Sequence, residues 1–263
     1  MITDSHAHLQ DERLAPVGAA IARARAAGVG RIVCCGTSEA DWPRVSAIAA
    51  EFPDLVRPAF GLHPWFVRER SPQWRGCLER LLDGHPNAVV GEIGLDRAVE
   101  DRDDAAQEEA LLFQLRLARA RARPVSIHGR QSWTRLLELL SAEGPHPAGA
   151  VLHAFSGPPD LMPAFAALNC YFSFAGSATR SKNRRAHRAL AAAPPGRVLL
   201  ETDAPDLPME GLPAPADGAR PVSEPAHLPL IARALAARRG IAADLLLRQC
   251  EENAARVFAA GPA

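Results

Sequence analysis

Eight short apolar or β-rich runs, helical segments between them, and 263 residues with no internal spacer predict an α/β protein. The expected architecture is a single (β/α)8 barrel of the TIM type with an extra C-terminal helix. Parallel strands need a crossover, usually a helix, and eight such units close a circle within around 250 residues. The expected strands are residues 1–5, 31–35, 57–61, 88–92, 124–128, 149–153, 171–174 and 197–201. The clearest helix is expected over 103–121, where Leu111, Leu115 and Ala118 share one face. Acids crowd its start and arginines its end, as the helix dipole favours. A further helix over 243–258 would follow the eighth unit and pack against the outside of the barrel. The stretch 207–225, with Pro208, Pro213, Pro215 and Pro221, reads as a long loop too late in the chain to divide it. Residues 1–263 therefore read as one domain.

Composition narrows the function classes. Thirty basic and thirty acidic residues give a formal net charge of zero, so whole-molecule attraction to nucleic acid or an anionic membrane is not expected, and any anion must be held locally. Lys182 is the only lysine. The five cysteines form no CxxC pair, and their odd number fits no complete disulfide framework, which points to a reducing cytoplasm. No apolar run approaches the ~18 residues of a membrane span, and no basic and apolar leader opens the chain. Neither a membrane nor an obligate protein partner is expected.

Six ionisable positions fall at the C-terminal ends of expected strands, the rim on which barrel active sites gather. His6 and His8 end the first, and alternate side chains of an extended segment share a face, so both imidazoles can aim at one point. Glu92 ends the fourth in VVGEIGLD, His128 the fifth in VSIH, and His153 the sixth in VLH, while Asp203 follows the eighth in LLETD. Any one of these alone reads more readily as a loop anchor; their shared rim is what points to metal. Four imidazoles and two carboxylates suit divalent Mg, Mn or Zn. One ion does not need six such ligands, whereas two ions about 4 Å apart sharing a carboxylate would use them all. The expected assignment gives His6, His8 and Asp203 to one ion, His128 and His153 to the other, and Glu92 to both.

Other positions carry two readings each. His63, at the third strand end in GLHP, is a phosphate contact or a loop cap. Arg130 offers a planar donor fork for phosphate oxygens, or pairs with Glu138 or Asp160. Glu201 and Asp96 are expected to fix the orientation of a metal-bound histidine or a loop amide. Trp65 and Phe66 are expected beneath a loop, with base stacking at the mouth as the alternative. His85, His146, His187 and His227 are expected at the surface.

Taken in order, DSHAHL, GLHP, GEIGLD, His128-Gly129-Arg130, HAFSG and ETDAP resemble the motif set of the TatD family of metal-dependent deoxyribonucleases, within the amidohydrolase superfamily. Gln107-Glu108 with the apolar run after them, and NAARVF near the end, extend the likeness over nearly the whole chain. The resemblance implies a (β/α) barrel, two divalent ions, and phosphodiester hydrolysis, often as a 3′ to 5′ exonuclease on single strands. It also implies a phosphate role for His63. The substrate would then be single-stranded DNA or RNA ends, or short oligonucleotides. Many dinuclear amidohydrolases bridge their metals with a carbamylated lysine on the fourth strand, but Lys182 follows the seventh, which leaves Glu92 to bridge. Asp203 would orient a water acidified by the ions and pass its proton to the leaving oxygen, so Glu92 and Asp203 are the expected catalytic carboxylates. Hydrolysis of a small ester, lactone or amide on the same metals is one alternative. A nucleic-acid-associated protein with a vestigial metal site is another, which the presence of all six ligands disfavours. Two departures stand out: GARPVSEP replaces a basic stretch ending in Asn-Glu-Pro, and Arg97 replaces the aromatic residue that often follows GLD. Both fall in loops expected to meet substrate.

Overall fold

A computed structural model describes residues 1–213 and 220–258. Its strands are β1 (Ile2–Ala7), β2 (Val29–Cys35), β3 (Val56–Phe60), β4 (Val89–Asp96), β5 (Val125–Arg130), β6 (Ala150–Leu152), β7 (Cys170–Phe174) and β8 (Val198–Leu200). Each pairs in parallel with the next, in chain order. The circle is drawn together at the rim by bonds from Asp203 N to His6 O (3.0 Å) and from His8 N to Ala204 O (2.6 Å). The expected α/β barrel is the observed fold.

Helices α1 (Val17–Ala26), α2 (Trp42–Glu51), α3 (Trp74–Gly84), α4 (Asp104–Ala120), α5 (Trp133–Glu143), α6 (Met162–Ala167), α7 (Arg184–Ala192) and α8 (Leu228–Arg239) alternate with the strands. Helix α4 begins at Asp103, whose carboxylate accepts from Ala106 N at 2.9 Å and satisfies one of the free amides of the first turn. Leu111, Leu115 and Ala118 are buried on its inner face as their spacing requires. The loop read over 207–225 includes residues 214–219, which lie outside the described residues. None of the described helices is long and apolar enough to cross a membrane.

Strand alternation divides the core in two. Val33, Cys35, Ala59, Val89, Val151, Tyr171 and Leu199 form one cluster, while their neighbours Ile32, Cys34, Phe60, Val90, Leu152, Phe172 and Leu200 join the larger cluster shared with the helices. A period of two separates an inward from an outward face, so the first set fills the barrel. Ala254, Val257 and Phe258 belong to that inner set. They come from α9 (Ala243–Val257) and the residue after it, and Asn253 Nδ2 is held by Pro195 O and Val198 O, both at 2.9 Å, at the start of β8. The extra helix therefore closes the N-terminal end of the barrel instead of lying only against its outside. Above this plug sits a polar layer in which Ser5 Oγ and Ser173 Oγ meet at 2.7 Å.

Strand β4 runs four residues beyond its expected end at Glu92. All eight of its residues are buried, so no polar alternation marks where it stops. Gly94 (φ +145°) permits the extension, since a Cβ there would collide with the backbone carbonyl of His128. The four histidines expected at the surface are also placed differently. His146 is buried, and His85, His187 and His227 are half-buried. His85 Nε2 bonds Ser46 Oγ at 2.9 Å, and His227 Nδ1 accepts from Glu224 N at 3.0 Å.

Neither ring nitrogen of His146 meets a hydrogen-bond partner among the described residues. Burial, with a smaller contribution from Arg119, pushes its pKa from 6.5 to about 4. The unfolded chain therefore binds a proton at this ring from about pH 6.5 downward, and the folded chain only near pH 4. Stability is complete above that window and is lost progressively as pH falls through it, by roughly 3 kcal/mol at most. Replacing His146 with leucine should flatten the fall in melting temperature between pH 7 and pH 4, as read by calorimetry; an unchanged slope would remove His146 as its cause.

Candidate active site

The mouth of the barrel is built around Glu92, which β4 delivers almost fully buried. Gly91 beside it lets β4 approach β5, because a Cβ there would lie 2.8 Å from Ser126 Cβ. Glu92 Oε2 lies 3.2 Å from His6 Nε2 and 3.5 Å from His8 Nε2. Its other oxygen lies 2.8 Å from His153 Nε2, 3.0 Å from His128 Nδ1 and 3.3 Å from His63 Nε2. Asp203 Oδ1 completes the first group at 3.7 Å from His6 Nε2 and 3.6 Å from His8 Nε2. Asp203 has a left-handed backbone (φ +52°), a conformation aspartate tolerates better than most residues, and its N–H bond to His6 O holds it there.

Hydrogen bonds on the far side of each ring decide which nitrogen faces the centre with a lone pair. His8 Nδ1 donates to Cys35 O at 2.7 Å, an acceptor only, so Nε2 is the nitrogen left to face the centre. His128 is turned the other way. Its Nε2 donates to Asp96 Oδ2 at 3.1 Å and leaves Nδ1 towards Glu92. Burial opposes the Asp96 charge, but bonds from His128 and Trp65 hold its carboxyl down at about 2. His6 Nδ1 meets Ser126 Oγ at 2.9 Å and Cys35 Sγ at 3.4 Å. His153 Nδ1 stands 3.4 Å from Glu201 Oε1, which also accepts from Ala154 N at 2.7 Å.

His63 differs. Its Nδ1 accepts from the backbone N–H of Trp65 at 3.1 Å, so the ring proton sits on Nε2, the nitrogen that faces Glu92. In this tautomer His63 offers a donor suited to an oxygen anion and no lone pair for a cation. Burial drives its pKa down to about 4 despite the Glu92 charge, so the ring is neutral.

The donor atoms fit divalent cations. Donors placed tetrahedrally 2.0–2.2 Å from one ion are about 3.3–3.6 Å apart. His6 Nε2 and His8 Nε2 are separated by 3.3 Å, and their spacings to Glu92 and Asp203 run from 3.2 to 3.7 Å. His128 Nδ1 and His153 Nε2 are 3.2 Å apart on the other side of Glu92. Two further features suit positive charge at the centre. Burial works against the Glu92 charge, yet His153, His63 and His6 hold its carboxyl well below the ordinary range. Burial alone would lower His8, but its bond to Asp203 and the charge of Glu92 carry it up to about 9.

The six residues expected at one point are thus brought together, with Glu201 beside His153 Nδ1 and Asp96 beside His128 Nε2. Arg130 is more than half exposed, and its acidic neighbour is Asp96 (3.9 Å) instead of Glu138, which pairs with Arg135, or Asp160. Trp65 is 51% exposed, contrary to expectation, while Phe66 is half-buried. Within GARPVSEP, Gly218 and Ala219 lie outside the described residues. Ser223 Oγ bonds Thr202 O (3.0 Å) and so braces the turn that carries Asp203, while Glu224 pairs with Arg23 on α1 (2.6 Å). Sequence reasoning missed several supports. Gln107 bonds both N and O of Asp96, Gln114 does the same for Leu62 beside His63, and Asp4 accepts from Thr202 N at 2.9 Å. Their signal was a polar side chain on an otherwise apolar buried face.

A family model described as TatD related DNase matches residues 3–259. The 3'-5' ssDNA/RNA exonuclease TatD of Dickeya dadantii is 34% identical over 243 residues, covering 92% of this chain and 91% of that protein. An uncharacterized metal-dependent hydrolase of Bacillus subtilis, YabD, is 28% identical over 98% of this chain and 99% of its own length. The crystal structure of YjjV, a TatD homolog from Escherichia coli K12, superposes with a TM-score of 0.88 at 28% identity, covering 98% of this chain and 97% of that one. On a match spanning nearly its whole length, this chain belongs to the family of TatD-related DNases.

Proposed function

We propose that this chain, acting as one unit over residues 1–263, is a divalent-metal-dependent hydrolase that removes nucleotides from the 3′ ends of single-stranded DNA or RNA. The observation that carries the reading is the Glu92 carboxylate, with the imidazoles of His6 and His8, which also face Asp203, at one oxygen and those of His128 and His153 at the other. The exonuclease activity of the Dickeya relative supports the substrate class. Five free thiols are in keeping with a reducing cytoplasm.

In this reading His6, His8, Asp203 and Glu92 hold one of two ions (Mg, Mn or Zn), and His128, His153 and Glu92 hold the other. When bound, such ions acidify water and offset the charge that grows on a phosphate in attack. The chain's own groups do the rest. Burial raises the cost of the Asp203 charge, but His8, His153 and His6 outweigh it and keep the carboxylate ionised, ready to orient water and take its proton to the leaving oxygen. His63 offers Nε2–H, and Arg130 its guanidinium fork, to phosphate oxygens. Asp96, Glu201, Ser126 and the carbonyl of Cys35 fix the four imidazoles.

Incubation with end-labelled single-stranded DNA and RNA under manganese or magnesium should give stepwise shortening. Asp203→Asn should slow it by about 10²–10⁴-fold and Glu92→Gln should abolish it. An intact label after incubation with the wild type would refute the reading. His63→Ala and Arg130→Ala should depress diester cleavage far more than hydrolysis of any carboxylic ester; equal losses would favour a small-ester hydrolase. Ser126→Ala removes the hydroxyl partner of His6 Nδ1 and should weaken divalent-ion binding by about 10–100-fold in a calorimetric titration, with the fold intact by circular dichroism.

A further inference from the structure

We infer that the exposed face of Trp65 is a stacking platform for a nucleobase beside the bond that is cut, a subsite that deepens the proposed function and rests on it. The large hydrophobic side chains exposed among the described residues are Met1, Trp65, Leu230 and Leu245. The two leucines lie on the outer helices α8 and α9, and Met1 is the first residue of the chain. Trp65 is different because it is both open and fixed. Half of its surface is exposed, yet its indole Nε1–H donates to Asp96 Oδ2 at 2.7 Å, and its ring meets His63 edge-on at 5.0 Å with planes at 86°.

Its surroundings specify the ligand. Asp96 Oδ2 is shared by Trp65 Nε1 (2.7 Å), His128 Nε2 (3.1 Å) and, more loosely, Arg130 Nη1 (3.9 Å). The ring therefore stands beside a largely exposed cationic fork and directly behind an imidazole of the central cluster. A planar group attached to a phosphodiester meets all three features: a flat face for the indole, an anionic oxygen for Arg130, and a scissile bond at the cluster. With a net charge of zero, the chain lacks the long-range attraction that usually carries nucleic-acid affinity, and stacking supplies binding that charge does not. Every base has a π face, so the platform tolerates sequence.

The test compares wild type, Trp65→Ala and Trp65→Phe, all metal-loaded and full-length, on two single-stranded oligonucleotides. One carries normal bases, and the other has tetrahydrofuran abasic units at its last two 3′ positions. Trp65→Ala should raise KM about tenfold on the first, with kcat little changed, and leave KM on the second unaltered. Trp65→Phe keeps an aromatic face without the N–H and should still discriminate between the two. Equal losses on both oligonucleotides, or a Phe variant as impaired as the Ala variant, would show that the ring acts only through Asp96 and would overturn the platform. A second readout does not depend on cleavage. Trp42, Trp74 and Trp133 are at most 8% exposed, so a change in tryptophan fluorescence on binding reports chiefly on Trp65. Titrating the Asp203→Asn protein should give saturable quenching with the base-bearing oligonucleotide and none with the abasic one. Should the wild type cut nothing while quenching persists, the proposed activity fails and the platform stands; cutting without any base-dependent quenching overturns the platform and leaves the activity intact.

Discussion

One buried carboxylate governs the upper half of this molecule. Taking an ionised group out of water costs several kcal/mol unless partners surround it, and Glu92 is almost wholly buried. Five imidazoles, from His6, His8, His63, His128 and His153, lie within 3.5 Å of its two oxygens. They lie at or just beyond the C-terminal ends of four different strands, so a single charge ties together segments from near the start of the chain to well past its middle. The same crowding creates the need for cations. Rings whose outer nitrogens are already committed to Cys35 O or Asp96 turn their other nitrogens inward, and several such nitrogens around a carboxylate call for positive charge among them, carried by protons or by metal.

The barrel's layering makes such a mouth tolerable. Beneath it, Ser5, Ser126 and Ser173 provide hydroxyls, and beneath those Val33, Tyr171 and Leu199 meet Val257 and Phe258. Polarity falls steadily from the open end to the plugged end. The hydroxyl layer gives the buried imidazole of His6 a partner that an aliphatic filling could not, and the apolar plug recovers the packing on which a closed sheet depends.

Much of this was legible in the chain. All eight strands and the six clustered residues follow from apolar periodicity and from where ionisable groups interrupt it, because a barrel projects every strand end to one rim. What escaped depends on distances that no local pattern encodes. His146 sits between Pro145 and Pro147 and resembles loop sequence, yet the turn after α5 buries the ring. Trp65 reads as a core residue by its hydrophobicity, but its N–H finds its acceptor only because β4 continues to Asp96. That continuation was hidden by Gly94, which looks like a strand breaker and is in fact what lets β4 lie close against β5. The donor role of His63 rests on a single backbone N–H two residues on.

The helix that stoppers the barrel also settles the traffic through it. With Val257 and Phe258 sealing one end and packed side chains filling the shaft, the described residues leave no rear exit, so whatever enters between Trp65 and Asp203 must back out the same way. On the proposed reading, a strand trimmed here cannot be threaded onward like cord through a pulley; each released fragment would have to clear the doorway before the next could occupy it.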